Sequence, residues 1–259
     1  MDKAAMEYRH LVVEQQAAVT ELTLARPEAK NALSQALLAE LLDAIARISA
    51  SATVHALVIT GQGNVFCAGA DLKERRANPG KDAEQRRPLL AFWQAVANFP
   101  KPVIFAANGH AAGGGFELLL LGDAVIAAES MQCWLPEVQW GGIPGGWGTQ
   151  LLTRMVGPVR ARWIILNGHR ISAQEALAMG LVTHVVPAER VRETALTVAT
   201  ALAQRPPTAV ALTKEAVRHA LAAPLSTGVE IEDRLLQLAV AAPERQDALD
   251  RFAGGHRPS

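Results

Sequence analysis

The stretch Asn108-Gly109-His110-Ala111-Ala112-Gly113-Gly114-Gly115-Phe116-Glu117 carries the strongest structural signal in the chain. It follows an apolar run, Pro102 to Ala107, which predicts a buried strand. Its glycines allow close approach to the backbone and lead into an apolar helix. The first amides of a helix have no partner within it and point outwards, towards any developing negative charge. The stretch therefore predicts a strand, an anion-binding loop and a helix, although a tight turn explains the glycines equally well.

A second loop has the same character. It lies at the end of a segment that begins at Gly61, directly after the apolar run His55 to Thr60. Its sequence is Phe66-Cys67-Ala68-Gly69-Ala70-Asp71-Leu72. That run predicts another buried strand. The small residues again let a ligand contact the main chain, and a tight turn is again the alternative.

The elements around these loops repeat in the order strand, loop, helix, strand. This order favours parallel strands joined by helical crossovers, which is an α/β fold. Two strands are predicted between Leu11 and Leu24, and Ser34 is expected to cap a helix. After Val186 the pattern is entirely helical, and Arg205-Pro206-Pro207 interrupts it. We therefore predict a core over residues 1–204 and a C-terminal helical region over 205–259.

Composition excludes several classes of function. The chain has 259 residues, and its 25 Lys and Arg balance its 25 Asp and Glu, so no net positive field favours nucleic acid or an anionic membrane. Two cysteines do not form a disulfide framework. No apolar run approaches the roughly 20 residues of a membrane span. We expect a soluble, cytoplasmic protein that binds neither nucleic acid nor membrane.

A local basic run interrupts this neutral background. It comprises Arg75, Arg76, Lys81, Arg86 and Arg87. A solvated surface explains it, and a contact to phosphate is the alternative.

Familiar catalytic motifs are missing from the sequence. There is no Gly-x-Ser-x-Gly motif, no P-loop, no complete dinucleotide fingerprint and no His-Glu-x-x-His arrangement. His110 stands beside the glycine run, where a structural role is more common for a lone histidine than a catalytic one. No metal site is predicted.

Two glutamates are the remaining candidates for chemistry. Glu117 lies in the first turn of the predicted helix, and Glu137 follows Pro136 in a loop. Glu117 could merely complement its helix dipole, and Glu137 could be a surface residue. A carboxyl group beside Phe116 and Leu118, however, should have its charged form disfavoured. Two neighbouring carboxyl groups tend to divide into an acid and a base.

At these residues the chain resembles the enoyl-CoA hydratase/isomerase (crotonase) family. The joint order and spacing of the motifs is specific, although each alone is weak. They are Asn31-Ala32-Leu33-Ser34, Phe66-Cys67-Ala68-Gly69-Ala70-Asp71-Leu72, Asn108-Gly109, Gly113-Gly114-Gly115-Phe116-Glu117, Leu135-Pro136-Glu137, Gly141-Gly142-Ile143-Pro144-Gly145, Gly148-Thr149-Gln150 and Arg170-Ile171-Ser172-Ala173.

The resemblance implies a crotonase-like spiral of repeated ββα units with a C-terminal helical region that mediates trimerisation. It also implies a homotrimer or hexamer that acts on acyl-CoA thioesters, as in fatty acid metabolism. No cofactor is expected, because coenzyme A is part of the substrate.

The resemblance further assigns roles to individual residues. The backbone amides of Ala68 and Gly114 would form an oxyanion hole for the thioester oxygen. The segment from Ala68 through Gly69 and Ala70 to Asp71 would contact coenzyme A, largely through the main chain. In a hydratase, Glu137 would protonate the α-carbon, and Glu117 would activate the water that attacks the β-carbon.

The predicted function is therefore an enoyl-CoA hydratase. A double-bond isomerase, a retro-aldol lyase or a thioester hydrolase is the alternative, as is a non-catalytic relative that binds acyl-CoA or RNA. Trp134, Trp140 and Trp147 depart from the family pattern. They are either ordinary packing residues or the walls of a pocket for a cyclic, branched or aromatic acyl group.

Overall fold

The computed structural model describes residues 7–77, 80 and 82–253. Residues 1–6 of the predicted core, Lys81 of the basic run and residues 254–259 of the predicted tail lie outside the described residues. The strands are β1 (Leu11–Gln16), β2 (Val19–Leu24), β3 (Ala56–Gly61), β4 (Val65–Cys67), β5 (Val103–Ala107), β6 (His110–Ala112), β7 (Ala124–Ala128), β8 (Gln132–Trp134), β9 (Ile171–Ser172) and β10 (His184–Val186).

Helices surround these strands and form the C-terminal part of the chain. They are α1 (Gln35–Ala50), α2 (Leu72–Ala77), α3 (Asp82–Ala97), α4 (Gly114–Leu119), α5 (Gly148–Val156), α6 (Pro158–Asn167), α7 (Ala173–Ala178), α8 (Val191–Ala203), α9 (Pro207–Ala220), α10 (Leu225–Val240) and α11 (Glu244–Ala253). Short 3-10 turns occupy Pro27–Ala29, Glu137–Trp140 and Ala188–Arg190.

The larger sheet has the strand order β1-β2-β3-β5-β7-β10. Strands β2, β3, β5, β7 and β10 run parallel, and β1 joins β2 as an antiparallel hairpin. Every residue of β3, β5 and β7 is buried, because both faces of these strands are covered. This explains why they are continuous apolar runs in the sequence.

The smaller sheet has the order β4-β6-β8-β9, with β4, β6 and β8 parallel. Successive pairs of strands divide between the two sheets, since β3, β5 and β7 lie in the larger and β4, β6 and β8 in the smaller. Each of these three turns of the chain therefore contributes one strand to each sheet. This arrangement confirms the predicted spiral of ββα units.

Helix α1 shows how the local sequence sets an element. The Ser34 hydroxyl accepts a hydrogen bond from the Leu37 amide at 3.3 Å, which confirms the predicted cap. The apolar residues recur at helical spacing and are buried against the core. They are Leu37, Leu38, Leu41, Ile45 and Ile48.

The C-terminal part of the described chain is helical, as the sequence predicts. Helix α8 packs on β3, β5 and β7, and α9 packs against α10. Lys214 of α9 forms an ion pair with Asp123 and donates to the Lys101 carbonyl at 2.9 Å, which fastens this region to the core. The proposed boundary after residue 204 remains a prediction. Within the described residues, no helix combines the length and apolarity needed to cross a membrane.

Candidate active site

Three loops meet at one edge of the smaller sheet. They follow β4, β6 and β8, which are parallel, so their carboxyl ends lie side by side. The loop after β4 begins at Ala68, the loop after β6 at Gly113, and the loop after β8 leads to Glu137. Sheet topology therefore assembles the two glycine-rich loops and the second glutamate at one place.

Glycines allow the first two loops to touch. A Cβ on Gly69, whose φ is +84°, would lie 2.5 Å from the Ala112 carbonyl oxygen and 2.8 Å from the Gly114 nitrogen. A Cβ on Gly115 would collide with the Cys67 carbonyl group. The backbones thus approach so closely that only glycine fits at either position.

We expect Gly115→Ala to destabilise the protein by about 3 kcal/mol or more, because the obstructing atoms belong to a buried backbone that cannot move aside. Gly228→Ala is the matched control, since a Cβ there meets nothing within 4 Å. Gly228 is the fourth residue of α10, where alanine should add up to about 1 kcal/mol. Urea unfolding of both variants checks this; equal stabilities would contradict the packing described.

The Ala68 amide does not have the role that the sequence predicts. It donates a hydrogen bond to the Lys30 carbonyl at 3.0 Å and is therefore already used within the fold. The Ala70 amide is the better candidate. The Leu33 carbonyl accepts a hydrogen bond from the Asp71 amide at 3.4 Å, and the Leu33 amide donates one to the Gly69 carbonyl at 2.8 Å. Because successive amides of an extended chain point to opposite sides, the Ala70 N–H points away from Leu33.

Ala70 and Gly114 both line one cavity, which has a volume of about 280 Å³. Gly114 is the first residue of α4, so its amide has no partner inside the helix. The Gly113 amide, in contrast, donates to the Trp134 carbonyl at 2.9 Å. The backbone amides of Ala70 and Gly114 are therefore the candidates for binding an oxyanion.

Glu117 lies beside this pair of amides and is only 2% exposed. Its Oε1 accepts hydrogen bonds from the amides of Gly146 and Gly148, each at 2.8 Å. Trp147 stands between them with a left-handed backbone, φ 72° and ψ 4°, which turns both flanking amides towards one oxygen. Oε1 is thus fixed, and Oε2 remains for contact with a reactant.

Glu137 approaches the same cavity from the opposite loop and is 7% exposed. A Cβ on Gly113, whose φ is +51°, would lie 2.7 Å from Glu137 Oε1. Within the described residues, Glu137 Oε2 is buried and has no hydrogen-bond partner. An unpartnered buried carboxyl oxygen is costly, which is typical of a functional group rather than a structural one.

Burial changes the acidity of both glutamates. Burial and, less strongly, the nearby charge of Glu137 raise the pKa of Glu117 to about 7, although the hydrogen bonds from the Gly148 and Gly146 amides and the charge of Arg86 act to lower it. Burial also raises the pKa of Glu137, against the positive charge of Arg75. Two carboxyl groups with raised pKa values are suited to acid and base roles.

Glu117→Gln should make the protein more stable at alkaline pH. A carboxyl pKa raised from 4.5 to about 7 means that the folded protein keeps a proton that the unfolded chain releases, so stability falls as pH rises through this window. Glutamine does not ionise and still accepts from Gly146 and Gly148. We expect a gain of up to about 3 kcal/mol near pH 8 and little change below about pH 4.5. Urea unfolding at both pH values measures it; a gain independent of pH would contradict the buried, protonatable carboxyl.

Other predicted site residues have structural partners. The Asp71 carboxylate pairs with Arg26 at 3.1 Å and caps α2 by accepting from the Glu74 amide at 3.2 Å. Gly69 supplies the close approach to Gly114. His110 accepts from the Gln132 amide through Nδ1 at 3.0 Å and packs edge-on against Trp134, which is a structural role.

Trp134, Trp140 and Trp147 lie in different surroundings in the structure. Only Trp140 lines the cavity, where it is 48% exposed. The Trp134 ring lies under the Arg170 guanidinium at 4.3 Å, and Trp147 packs partly buried against the core. A pocket reshaped by all three tryptophans is therefore not observed.

Sequence reasoning missed several residues around the cavity. Trp93 is fully buried. It packs against the turn that holds Glu117, since a Cβ added to Gly146 would lie only 2.9 Å from Trp93 Nε1. Arg75 and Arg86 of the basic run line the cavity, whereas Arg76 and Arg87 do not. Arg75 is half-buried, and the other three are exposed. The helical spacing of Arg86, Leu89 and Trp93 could have indicated a shared face. Within the described residues, no group of three potential metal ligands occurs.

Comparison with known proteins agrees with this geometry. The family model described as enoyl-CoA hydratase/isomerase matches residues 14–259. The 2,3-dehydroadipyl-CoA hydratase of Escherichia coli is 38% identical, over 96% of this chain and 97% of the relative. A probable enoyl-CoA hydratase of Rhizobium meliloti is 39% identical, over 95% and 96% respectively.

Solved structures give the same result. An enoyl-CoA hydratase from Bacillus anthracis superposes with a TM-score of 0.93 at 37% identity, covering 97% of this chain and 98% of the other. One from Geobacillus kaustophilus gives 0.91 at 36% identity, covering 98% of both. Motifs and fold thus agree with both comparisons: the chain belongs to the enoyl-CoA hydratase/isomerase family.

Proposed function

We propose that this protein is a 2-enoyl-CoA hydratase, which adds water across the 2,3-double bond of an acyl-CoA thioester. One observation carries the proposal: Glu117, Glu137, Ala70 and Gly114 all line a single cavity. An oxyanion hole and an acid–base pair are therefore available to the same bound molecule.

In the proposed reaction, the thioester oxygen accepts hydrogen bonds from the amides of Ala70 and Gly114. These donors stabilise the enolate oxygen that develops when water attacks the β-carbon, and one such donor is worth about 3 kcal/mol of barrier. Glu117 takes a proton from the attacking water through Oε2. Glu137 gives its proton to the α-carbon. Holding the water between the two groups removes the entropic cost of positioning it during the reaction.

The same proposal covers the surroundings of the reaction. The backbone from Ala68 to Asp71 contacts coenzyme A, and no cofactor is required. The protein functions in the cytoplasm without nucleic acid or membrane. We further propose a homotrimer or hexamer, supported by large apolar side chains that are exposed in the single chain. These include Val159 at 72%, Trp163 at 62% and Leu225 at 84%.

Sister reactions use the same oxyanion hole, so the two glutamates decide between them. A double-bond isomerase depends mainly on Glu137, whereas hydration needs both. The buried position of Glu117 and its two fixed hydrogen bonds favour hydration. A non-catalytic relative would have no need to keep two buried, protonatable carboxyl groups.

A spectrophotometric assay over a panel of 2-enoyl-CoAs tests this function. The panel should contain crotonyl-CoA, longer straight chains and branched or aromatic acyl groups. We expect hydration of at least one member at enzymatic rates. Double-bond migration, carbon–carbon cleavage or thioester hydrolysis without hydration would identify a sister activity. A clear preference for crotonyl-CoA would also exclude a pocket built for bulky acyl groups.

A further inference from the structure

The cavity contains two positive charges that hydration does not require. Besides the glutamates, its lining includes Arg75 and Arg86, set among apolar residues. The apolar members are Leu72, Leu89, Pro136, Trp140 and Ile143. Arginine is always charged at physiological pH, so both side chains bring a full positive charge to the cavity, Arg75 from a half-buried position and Arg86 from its exposed rim.

Neither guanidinium forms an ion pair with an acidic side chain in the described part of the chain. Arg75 forms no ion pair there, and Arg86 donates only to the Gly145 carbonyl, at 3.0 Å. A bound ligand that shields a charge from water removes its hydration. The free-energy cost is large unless the ligand supplies an anion in return. A plain alkyl chain would supply none.

The position of the two arginines indicates which part of the substrate they meet. Arg86 lies beside the turn that holds Glu117, because it donates to the Gly145 carbonyl and the next amide, that of Gly146, donates to Glu117. Arg75 lines the same cavity as Glu137. In the proposed reaction these carboxyl groups flank the α- and β-carbons of the acyl group. The phosphates of coenzyme A lie at the other end of the pantetheine arm. The arginines therefore stand on the acyl side of the thioester.

We propose that the acyl group carries a carboxylate at its far end, which Arg75 and Arg86 bind, so that the substrate is the mono-thioester of an unsaturated dicarboxylic acid. This inference rests on the proposed hydratase function and specifies its substrate class. Guanidinium groups bind carboxylates through charge-assisted, often bidentate hydrogen bonds. The apolar cavity wall would hold the methylene groups between the reacting carbons and the carboxylate.

The test compares substrates that differ only at the acyl terminus. Hex-2-enoyl-CoA and hex-2-enedioyl-CoA share the same coenzyme, and the octenoyl pair extends the comparison to a longer chain. We expect kcat/KM to be higher for the carboxylate member of at least one pair, by roughly tenfold to a hundredfold. Arg75→Met should remove most of this preference. Arg76→Met, an exposed neighbour on the same helix that is absent from the cavity lining, should leave the ratio unchanged.

The ratio separates this role from the other possible roles of the arginines. If they bind phosphates of coenzyme A or only adjust the glutamates, Arg75→Met lowers kcat/KM equally for both members of a pair, which overturns the inference. Equal or better use of the methyl-terminated substrates by the unaltered protein also overturns it.

Binding gives an answer that does not depend on turnover. Calorimetry with hexanoyl-CoA and adipoyl-CoA measures the same preference without chemistry. Tight binding of adipoyl-CoA without hydration of any enoyl-CoA would refute the proposed reaction and leave the acyl class intact. Hydration without a carboxylate preference in either measurement would refute the acyl class and leave the proposed reaction intact.

Discussion

Glu137→Gln and Glu117→Gln are each expected to lower kcat for hydration by roughly 10²- to 10⁴-fold. Glutamine keeps the size and polarity of the side chain but neither donates nor accepts the proton that the reaction moves. The geometry at position 117 should survive, because glutamine Oε1 can still accept from the Gly146 and Gly148 amides. Loss of the enoyl thioester absorbance measures the rate.

Binding of a saturated acyl-CoA provides the control for these two variants. Its affinity should stay within a few-fold of that of the unaltered protein, since neither glutamate is proposed to hold the ground state. Full activity in both variants would refute the assigned roles. If Glu137→Gln were inactive while Glu117→Gln kept double-bond migration, the protein would be an isomerase.

The second large effect is expected at the oxyanion hole. Gly114→Pro removes one N–H from the cavity, and this should lower kcat by about 10²- to 10³-fold. Proline is tolerated at the first position of a helix, where its fixed φ fits and no intrahelical hydrogen bond is lost. The variant should therefore fold, which circular dichroism and its unfolding midpoint can establish.

Gly114→Ala is the matched control for the proline variant. Its added Cβ would lie no closer than 3.5 Å to any neighbour, and the amide remains. We expect activity within a few-fold of the unaltered protein. Equal losses in the alanine and proline variants would show that space, not the N–H, matters at this position.

The sequence was sufficient for the spiral fold, and it singled out Glu117 and Glu137, which the structure brings to one cavity and whose catalytic roles stay a prediction. The long strands β3, β5 and β7 are continuous apolar runs, and Ser34 is a local cap, so short-range patterns identify them. The strands of the smaller sheet have only two or three residues each, which is too short for a periodic signal. Their presence depends on pairing between distant segments, so the sequence did not reveal them individually.

The choice of oxyanion donor shows the same limit more sharply. Ala68 and Ala70 are both alanines beside Gly69, and nothing local distinguishes their amides. The Lys30 carbonyl engages the first, and the bridge to Leu33 turns the second away towards the cavity. Both contacts come from a segment more than thirty residues earlier, so only the tertiary structure decides between them.

The sequence also did not reveal how the Glu117 carboxyl group is held. Its fixed oxygen depends on the left-handed backbone of Trp147, a conformation that is uncommon for residues other than glycine. The sequence placed Trp147 among small residues but gave no reason to expect the flanking amides to converge on a carboxylate.

A crystal structure of Glu137→Gln with crotonyl-CoA bound tests the central assignment most directly. We predict the thioester oxygen at about 3 Å from the amide nitrogens of both Ala70 and Gly114, with the α- and β-carbons between side chains 117 and 137. An oxygen out of reach of these two amides, or an acyl group that leaves either side chain outside its pocket, would contradict the account.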